Sequence, residues 1–454
     1  MFRSRAAGDC HSSEVPPTGS LLTTLPHLSH PTEWLRHSGG ELPERDTSTD
    51  LLLLFSTRAV RLFGYGFLSV TLVLYLIGLG FGESSVGLLL SLALLGDVIL
   101  SLWFTTSADR LGRRRMLLVG ALLIVFAGTV LASTALPWLI GVAVLVGVLS
   151  PSGYEVGPFL SIEQAALTQI VADRHRTRLF AWYNLVGALA TALGALLSGA
   201  LVQALLETGI APQESYRTTL VIYGGFGLLL GVLFLCLSPA VEAPAAPVAG
   251  ARPWLGIHRS TGIVARLSGL FALDAFAGAF VLQSLVAYWF VVRFSAQPAA
   301  LGGIFFGANI LAGLSGLLAA RLAARFGLIR TMVFTHLPSN VLLMAVPLMP
   351  TLAWATTVLL LRFALSQMDV PTRQSYTMAV VDPDERSAAA GVTTTARSVG
   401  AMLSPTLSGR LLAVPALIGV PFFLAGGLKI VYDLLLYRSF RRVRPPEETS
   451  AETL

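Results

Sequence analysis

From residue 51 onward the chain returns again and again to apolar stretches of about 20 residues, and this limits the fold more than any motif does. As a helix, each stretch is long enough to cross a hydrocarbon layer of roughly 30 Å. Lipid offers no hydrogen bonds, so a crossing segment must satisfy its own backbone, and stretches of this length do so as α-helices. The pattern predicts spans over 57–80, 86–107, 115–134, 138–165, 179–206 and 217–238, then 265–293, 299–322, 329–349, 353–380, 387–412 and 416–437. A polar connector with Pro239, Pro244, Pro247 and Pro253 separates the two sets of six. The expected fold is an all-α membrane protein of twelve transmembrane helices in two pseudo-symmetric six-helix bundles, 51–238 and 265–437. A linker (239–264) joins them and a tail (438–454) follows.

Composition agrees with a lipid solvent. Only 12% of residues are charged and 54% are hydrophobic, against roughly 25% charged in soluble domains. Mean hydropathy is +0.73. Residues 1–50 are polar, lack the apolar core of a secretory signal, and read as a disordered cytoplasmic tail or an overlong start.

The net charge of +6 does not call for nucleic acid, because the arginines gather on one side of the predicted spans. Arg110 and Arg113–Arg115, then Arg174, Arg176 and Arg178, then Arg252 and Arg259, then Arg321, Arg325 and Arg330, then Arg386 occupy alternate loops. The tail adds Arg438, Arg441, Arg442 and Arg444, whereas the other side has little beyond Arg217 and Arg293. The positive-inside rule then puts both termini in the cytoplasm. Near-complete use of Arg over Lys (Lys429 alone) suggests a bacterial inner membrane.

The halves repeat. Shifted by 210 residues, Glu163-Gln164 falls on Arg373-Gln374, Arg176 on Arg386, and Leu197-Ser198-Gly199 on Leu407-Ser408-Gly409. Arg110-Leu111-Gly112 matches Arg325-Phe326-Gly327 at an offset of 215. Internal repeats of this kind are frequent in secondary transporters, whose sites lie between the repeats near the midplane.

The segment Thr105–Arg115 resembles the loop 2–3 signature of the major facilitator superfamily, G-x-x-x-D-R-x-G-R-R. Asp109, Arg110, Gly112, Arg113 and Arg114 match, and Thr105 replaces the leading Gly. The resemblance implies that these five residues form a cytoplasmic gate that latches the halves together in the outward-facing state; the plainer alternative is that the arginines only set topology. Other family signatures are imperfect: the fourth span lacks the Arg of many members, and the fifth lacks the Gly-Pro pair of proton-driven drug antiporters.

Ionisable groups at bilayer depth are functional suspects. The resemblance implies that spans 1, 4, 7 and 10 line a cavity, which nominates Arg61, Tyr65, Glu155, Glu163, Asp274, Gln367, Asp369 and Arg373 as the substrate and proton pathway. Asp369 and Arg373 are four apart and share a helix face. Pro158 and Pro371 interrupt matching spans, the arrangement expected around a binding site. Alternatives are an ion pair between Glu163 and Arg373 at a gate, and Arg61 reaching out to the interface. Asp97, and Lys429 with Asp433, read as packing or interfacial partners; Asn309 reads as a polar contact between helices.

No metal-ligand spacing, nucleophile elbow or phosphate-binding loop is present, so enzyme activity, a cofactor and direct ATP drive are not expected. The predicted partners are a small-molecule substrate, a proton as coupling ion and the lipid bilayer, with the protein monomeric. Efflux is the first reading. Uptake of a metabolite or an anion gripped by Arg61 and Arg373 is the second. A transport-inactive sensor or a scramblase would use the same architecture.

Overall fold

The computed structural model describes residues 44–153, 159–171, 176–242, 258–382 and 385–441. The described residues form fifteen α-helices. In the first half these are α1 (Glu44–Gly78), α2 (Glu83–Leu111), α3 (Arg113–Ser133), α4 (Pro137–Val146), α5 (Phe159–Ile170), α6 (Arg176–Glu207) and α7 (Pro212–Leu235). In the second they are α8 (Thr261–Ala279), α9 (Gln283–Phe294), α10 (Pro298–Phe326), α11 (Leu328–Ala345), α12 (Leu352–Ser366), α13 (Asp369–Ala379), α14 (Arg386–Leu412) and α15 (Val420–Phe440).

Nine segments among the described residues are long and apolar enough to cross a membrane, one of them being α8 with α9 taken together. The remaining three predicted spans fall on the more polar α14 and on the helix pairs α4–α5 and α12–α13, whose helices are each shorter than a full crossing. Three predicted spans are thus broken: 138–165, 265–293 and 353–380. The first break follows from Gly147, Pro151 and Gly153, the last adopting φ +73°, a left-handed value that suits glycine. The break before α13 falls at Gln367–Met368. Pro371 does not make it, since it lies in the first turn of α13, where its missing N–H costs nothing.

Side chains from neighbouring helices satisfy the carbonyls that these breaks release. The Tyr223 hydroxyl donates to the Val148 carbonyl past the end of α4. On α14, the Ser404 hydroxyl donates to the Phe276 carbonyl and the Ser408 hydroxyl to the Phe280 carbonyl, 2.7 Å away, at the end of α8.

The halves meet through α2 on α14 and α6 on α10. Both contacts are made by glycine pairs. A Cβ added at Gly199 would sit 2.8 Å from the Gly302 Cα, and one at Gly409 would sit 2.8 Å from the Gly87 Cα. Small residues let helix backbones approach this closely. Gly199 and Gly409 are the last residues of the repeated Leu-Ser-Gly triplet, so the repeat has a structural purpose. Hydrogen bonds at the same end of the seam include Tyr288 to Glu83 at 2.6 Å and Thr406 Oγ1 to Ser91 at 2.7 Å. This end carries the α1–α2 turn, opposite the arginine-rich turns.

The second repeated motif makes those arginine-rich turns. Gly112, at φ +99°, joins α2 to α3, and Gly327, at φ +85°, joins α10 to α11. Both angles are disfavoured for residues with a Cβ.

Candidate functional site

The first half holds a closed charge network. Arg61 of α1 forks onto Glu163 of α5, Nη1 to Oε1 at 2.7 Å and Nη2 to Oε2 at 2.6 Å, with both side chains fully buried. Thr57 donates to Glu163 Oε1 at 3.0 Å, and the Tyr183 hydroxyl of α6 donates to Oε2. Arg58 stacks its guanidinium 4.0 Å from the Tyr183 ring centroid and donates from Nε to the Tyr183 carbonyl at 2.7 Å. Two sequence expectations change here. Arg61 does not reach the interface, being 1% exposed. Nor does Glu163 pair with Arg373, because each finds partners in its own half. A buried carboxylate is stabilised only by a full set of donors, and Arg61, Thr57 and Tyr183 supply it locally. Tyr65 is packed in the core with no exposed surface. Glu155 lies outside the described residues.

The second half holds a different network, centred on Asp274 of α8. Lys429 of α15 approaches its Oδ1 at 2.5 Å. Arg397 of α14 and Arg373 of α13 approach Oδ2 at 2.9 Å and 3.4 Å. Arg373 also binds Asp369 at 2.7 Å, the i,i+4 pair read from the sequence. Three cations thus serve two carboxylates. Lys429 is therefore no mere packing residue, and Arg397 was not foreseen. Arg397 sits in a span too polar to look buried, whereas Lys429, the sole lysine, at the heart of an apolar run, carried a signal.

Behind Lys429, Asp433 pairs with His336 Nδ1 at 2.9 Å and accepts from Asn340 at 2.9 Å. Asn309 makes the polar contact between helices expected of it, donating to Gln283 Oε1 at 3.3 Å. Asp97 is packed to 2% exposure and has no hydrogen-bond partner on either carboxyl oxygen among the described residues.

The Asp274 network opens into a cavity of about 390 Å³. Asp274, Arg362, Gln367, Arg397 and Lys429 line it from the second half, with Leu94 and Ser152 from the first. At its edge the interruptions of two helices touch across the seam: the Ser284 N–H donates to the Pro151 carbonyl at 3.1 Å, and Gln283 donates to Ser69 at 2.7 Å. Of the predicted pathway residues, Asp274 and Gln367 line the cavity, and Asp369 and Arg373 belong to the network behind it. Arg61 and Glu163 are locked together elsewhere.

At the arginine-rich end, the loop-motif residues bind within their own half. The backbone N–H groups of Arg113 and Arg114 donate to the Glu242 carboxylate at 2.6 Å and 3.2 Å, at the start of α3, where the helix dipole favours an anion. The Arg113 side chain donates to Gln169 at 2.9 Å, and that of Arg114 to the Leu235 carbonyl. Arg110 is exposed. The Asp109 side chain lies outside the described residues.

Apolar helices in two repeated halves, with a charged cavity on their seam, define a polytopic α-helical membrane protein. The model of the Major Facilitator Superfamily matches residues 54–405, and the chain belongs to that family. It is a secondary transporter rather than an enzyme. An uncharacterized membrane protein of Saccharomyces cerevisiae is 28% identical over 419 residues, 86% of this chain and 93% of the relative. Among solved structures, a bacterial homologue of the human lysosomal transporter Spinster, inward-facing and occupied, aligns with a TM-score of 0.68 at 16% identity, covering 88% of this chain and 98% of its own. The nucleoside transporter NupG aligns at 0.64 and 15% identity, covering 86% and 99%. The D-xylose-proton symporter aligns at 0.64 and 15%, covering 86% and 97%. These three share the fold.

Proposed function

We propose that this transporter carries a small organic anion through the seam cavity by alternating access, with a proton as the coupling ion. The observation that carries the reading is the charge on the cavity wall. Arg397 and Lys429 stand there and share the one carboxylate of Asp274, and Arg373 and Asp369 behind them cancel. Unbalanced cations at bilayer depth are costly and favour an incoming anion. The anion would bind Lys429 and Arg397 by taking the place of Asp274 on them. The displaced carboxylate then needs a proton, which links substrate to proton movement without a separate device. Arg61 takes no part in the grip, since Glu163 occupies its guanidinium.

With the arginine-rich turns in the cytoplasm, the glycine-paired end faces outward and is shut. The loop-motif arginines, turned onto their own half, fit a cytoplasmic latch in its released state. Because anion and proton are bound together, an inward proton gradient drives uptake, and we assign that direction in place of the efflux read first from the sequence.

The test is accumulation in proteoliposomes under an imposed pH gradient. A panel of carboxylates and phosphate esters is compared with the matching amides and amines. Anions should accumulate and their neutral counterparts should not; preference for amines would defeat the reading. Everted vesicles set the direction, since an exporter fills them and an importer does not.

A further inference from the structure

Asp97 of α2 differs from the other buried acids among the described residues. Asp50, Glu163, Asp274, Asp369, Glu385 and Asp433 each accept hydrogen bonds from a named partner. Asp97 is 2% exposed, and neither of its carboxyl oxygens has a partner. An ionised carboxylate in such surroundings without a counter-charge is costly.

Among the described residues its neighbours supply no such charge. The adjacent Gly96 is pressed against the Leu145 carbonyl of α4, and α4 carries no titratable residue. The Tyr223 hydroxyl of α7 is committed to the Val148 carbonyl. On α1, Arg61 is held by Glu163 of α5, and Arg58 by Tyr183 and Asn184. On α14, Arg397 is held by Asp274 and Arg410 is exposed. On α3, Arg113 is held by Gln169 and Glu242. Tyr154 and Glu155 lie outside the described residues.

Position gives the acid a role. Leu94, one turn away on α2, lines the cavity, and Ser91 and Gly87 further along make the contacts to Thr406 and Gly409 that close the seam. We propose that Asp97 is a proton-binding site of the first half, loaded while α2 lies against α14 and emptied when α2 swings away from it. Release needs water at the carboxyl, and water reaches it only when α2 moves. Protonation therefore holds the seam shut at its glycine-paired end, and loss of the proton favours opening. This rests on the proton-coupled reading above but needs no substrate to be tested.

Two measurements on the full-length protein in proteoliposomes test it. Isotope-edited infrared spectra should contain the C=O band of a protonated carboxyl that Asp97→Asn removes. Separately, Ser91→Cys is introduced with Cys10→Ser and Cys236→Ser, and its maleimide labelling is followed against pH. Labelling should rise with pH, become pH-independent with Asp97→Asn, and regain its dependence with Asp97→Glu. An unchanged infrared spectrum in Asp97→Asn overturns the assignment, and so does labelling that keeps the wild-type pH profile. If no anion is transported yet both results hold, the substrate reading fails and the proton site stands.

Discussion

The two halves handle buried charge in opposite ways. In the first, Glu163 is wrapped by Arg61, Thr57 and Tyr183 and has no exposed surface. In the second, Asp274 is shared by three cations, and two of them also line the cavity. A satisfied pair inside a packed bundle fixes the geometry of that bundle. An over-supplied carboxylate beside open space holds cations that an incoming ligand can claim. Repeated sequence has thus produced one half that is braced and one half that is poised, and Glu163 and Arg373, equivalent by the repeat, ended with different duties.

The largest expected effect separates these duties. Lys429→Ala or Arg397→Ala should abolish anion flux while leaving folded protein in the membrane, as judged by size-exclusion profile. In the first half, Glu163→Ala should cost about 3–5 kcal/mol of stability by leaving Arg61 buried and unpaired. Thermal unfolding in detergent reads this loss. The double replacement Arg61→Met with Glu163→Leu should recover most of it and retain flux. The parallel double in the second half, Asp274→Leu with Lys429→Met, should recover stability and still fail to transport. Flux in that second double would erase the contrast between the halves.

A smaller effect tests the closed end. Gly199→Val cannot be accommodated against the Gly302 backbone, so the halves should part there. Labelling of Ser91→Cys in a background without native cysteines should then speed up, with the fold intact. The smallest effect lies outside the membrane. Glu385 accepts from the backbone N–H groups of Arg259, His258 and Ser260. The Arg259 N–H foremost holds its carboxyl down to about 2, from an ordinary 4.5. A depressed value stabilises the fold above the ordinary pKa and ceases to do so as pH falls through about 2. Melting temperature should therefore fall between these limits in the wild type and change less in Glu385→Gln.

Much of this was legible in the sequence because lipid imposes blunt rules. The apolar helices and the repeat follow from apolar length and from matched residues such as Gly199 with Gly409. Asp369 with Arg373 followed from helical spacing. What could not be read was partnership across the fold. Arg61 finds Glu163, and Arg397 and Lys429 find Asp274, through contacts more than 100 residues apart that no local pattern encodes. The helix breaks at 280–282 and 367–368 carry no proline or glycine at the break itself, so the chain advertises neither.

The account depends most on the cavity cations being the anion's binding groups. The direct measurement is the melting-temperature shift produced by carboxylates, phosphate esters and their neutral amides on the wild type, Lys429→Gln and Arg61→Lys. Anions alone should stabilise the wild type, lose their effect in Lys429→Gln, and keep it in Arg61→Lys. Equal stabilisation of wild type and Lys429→Gln by the same anions would contradict it.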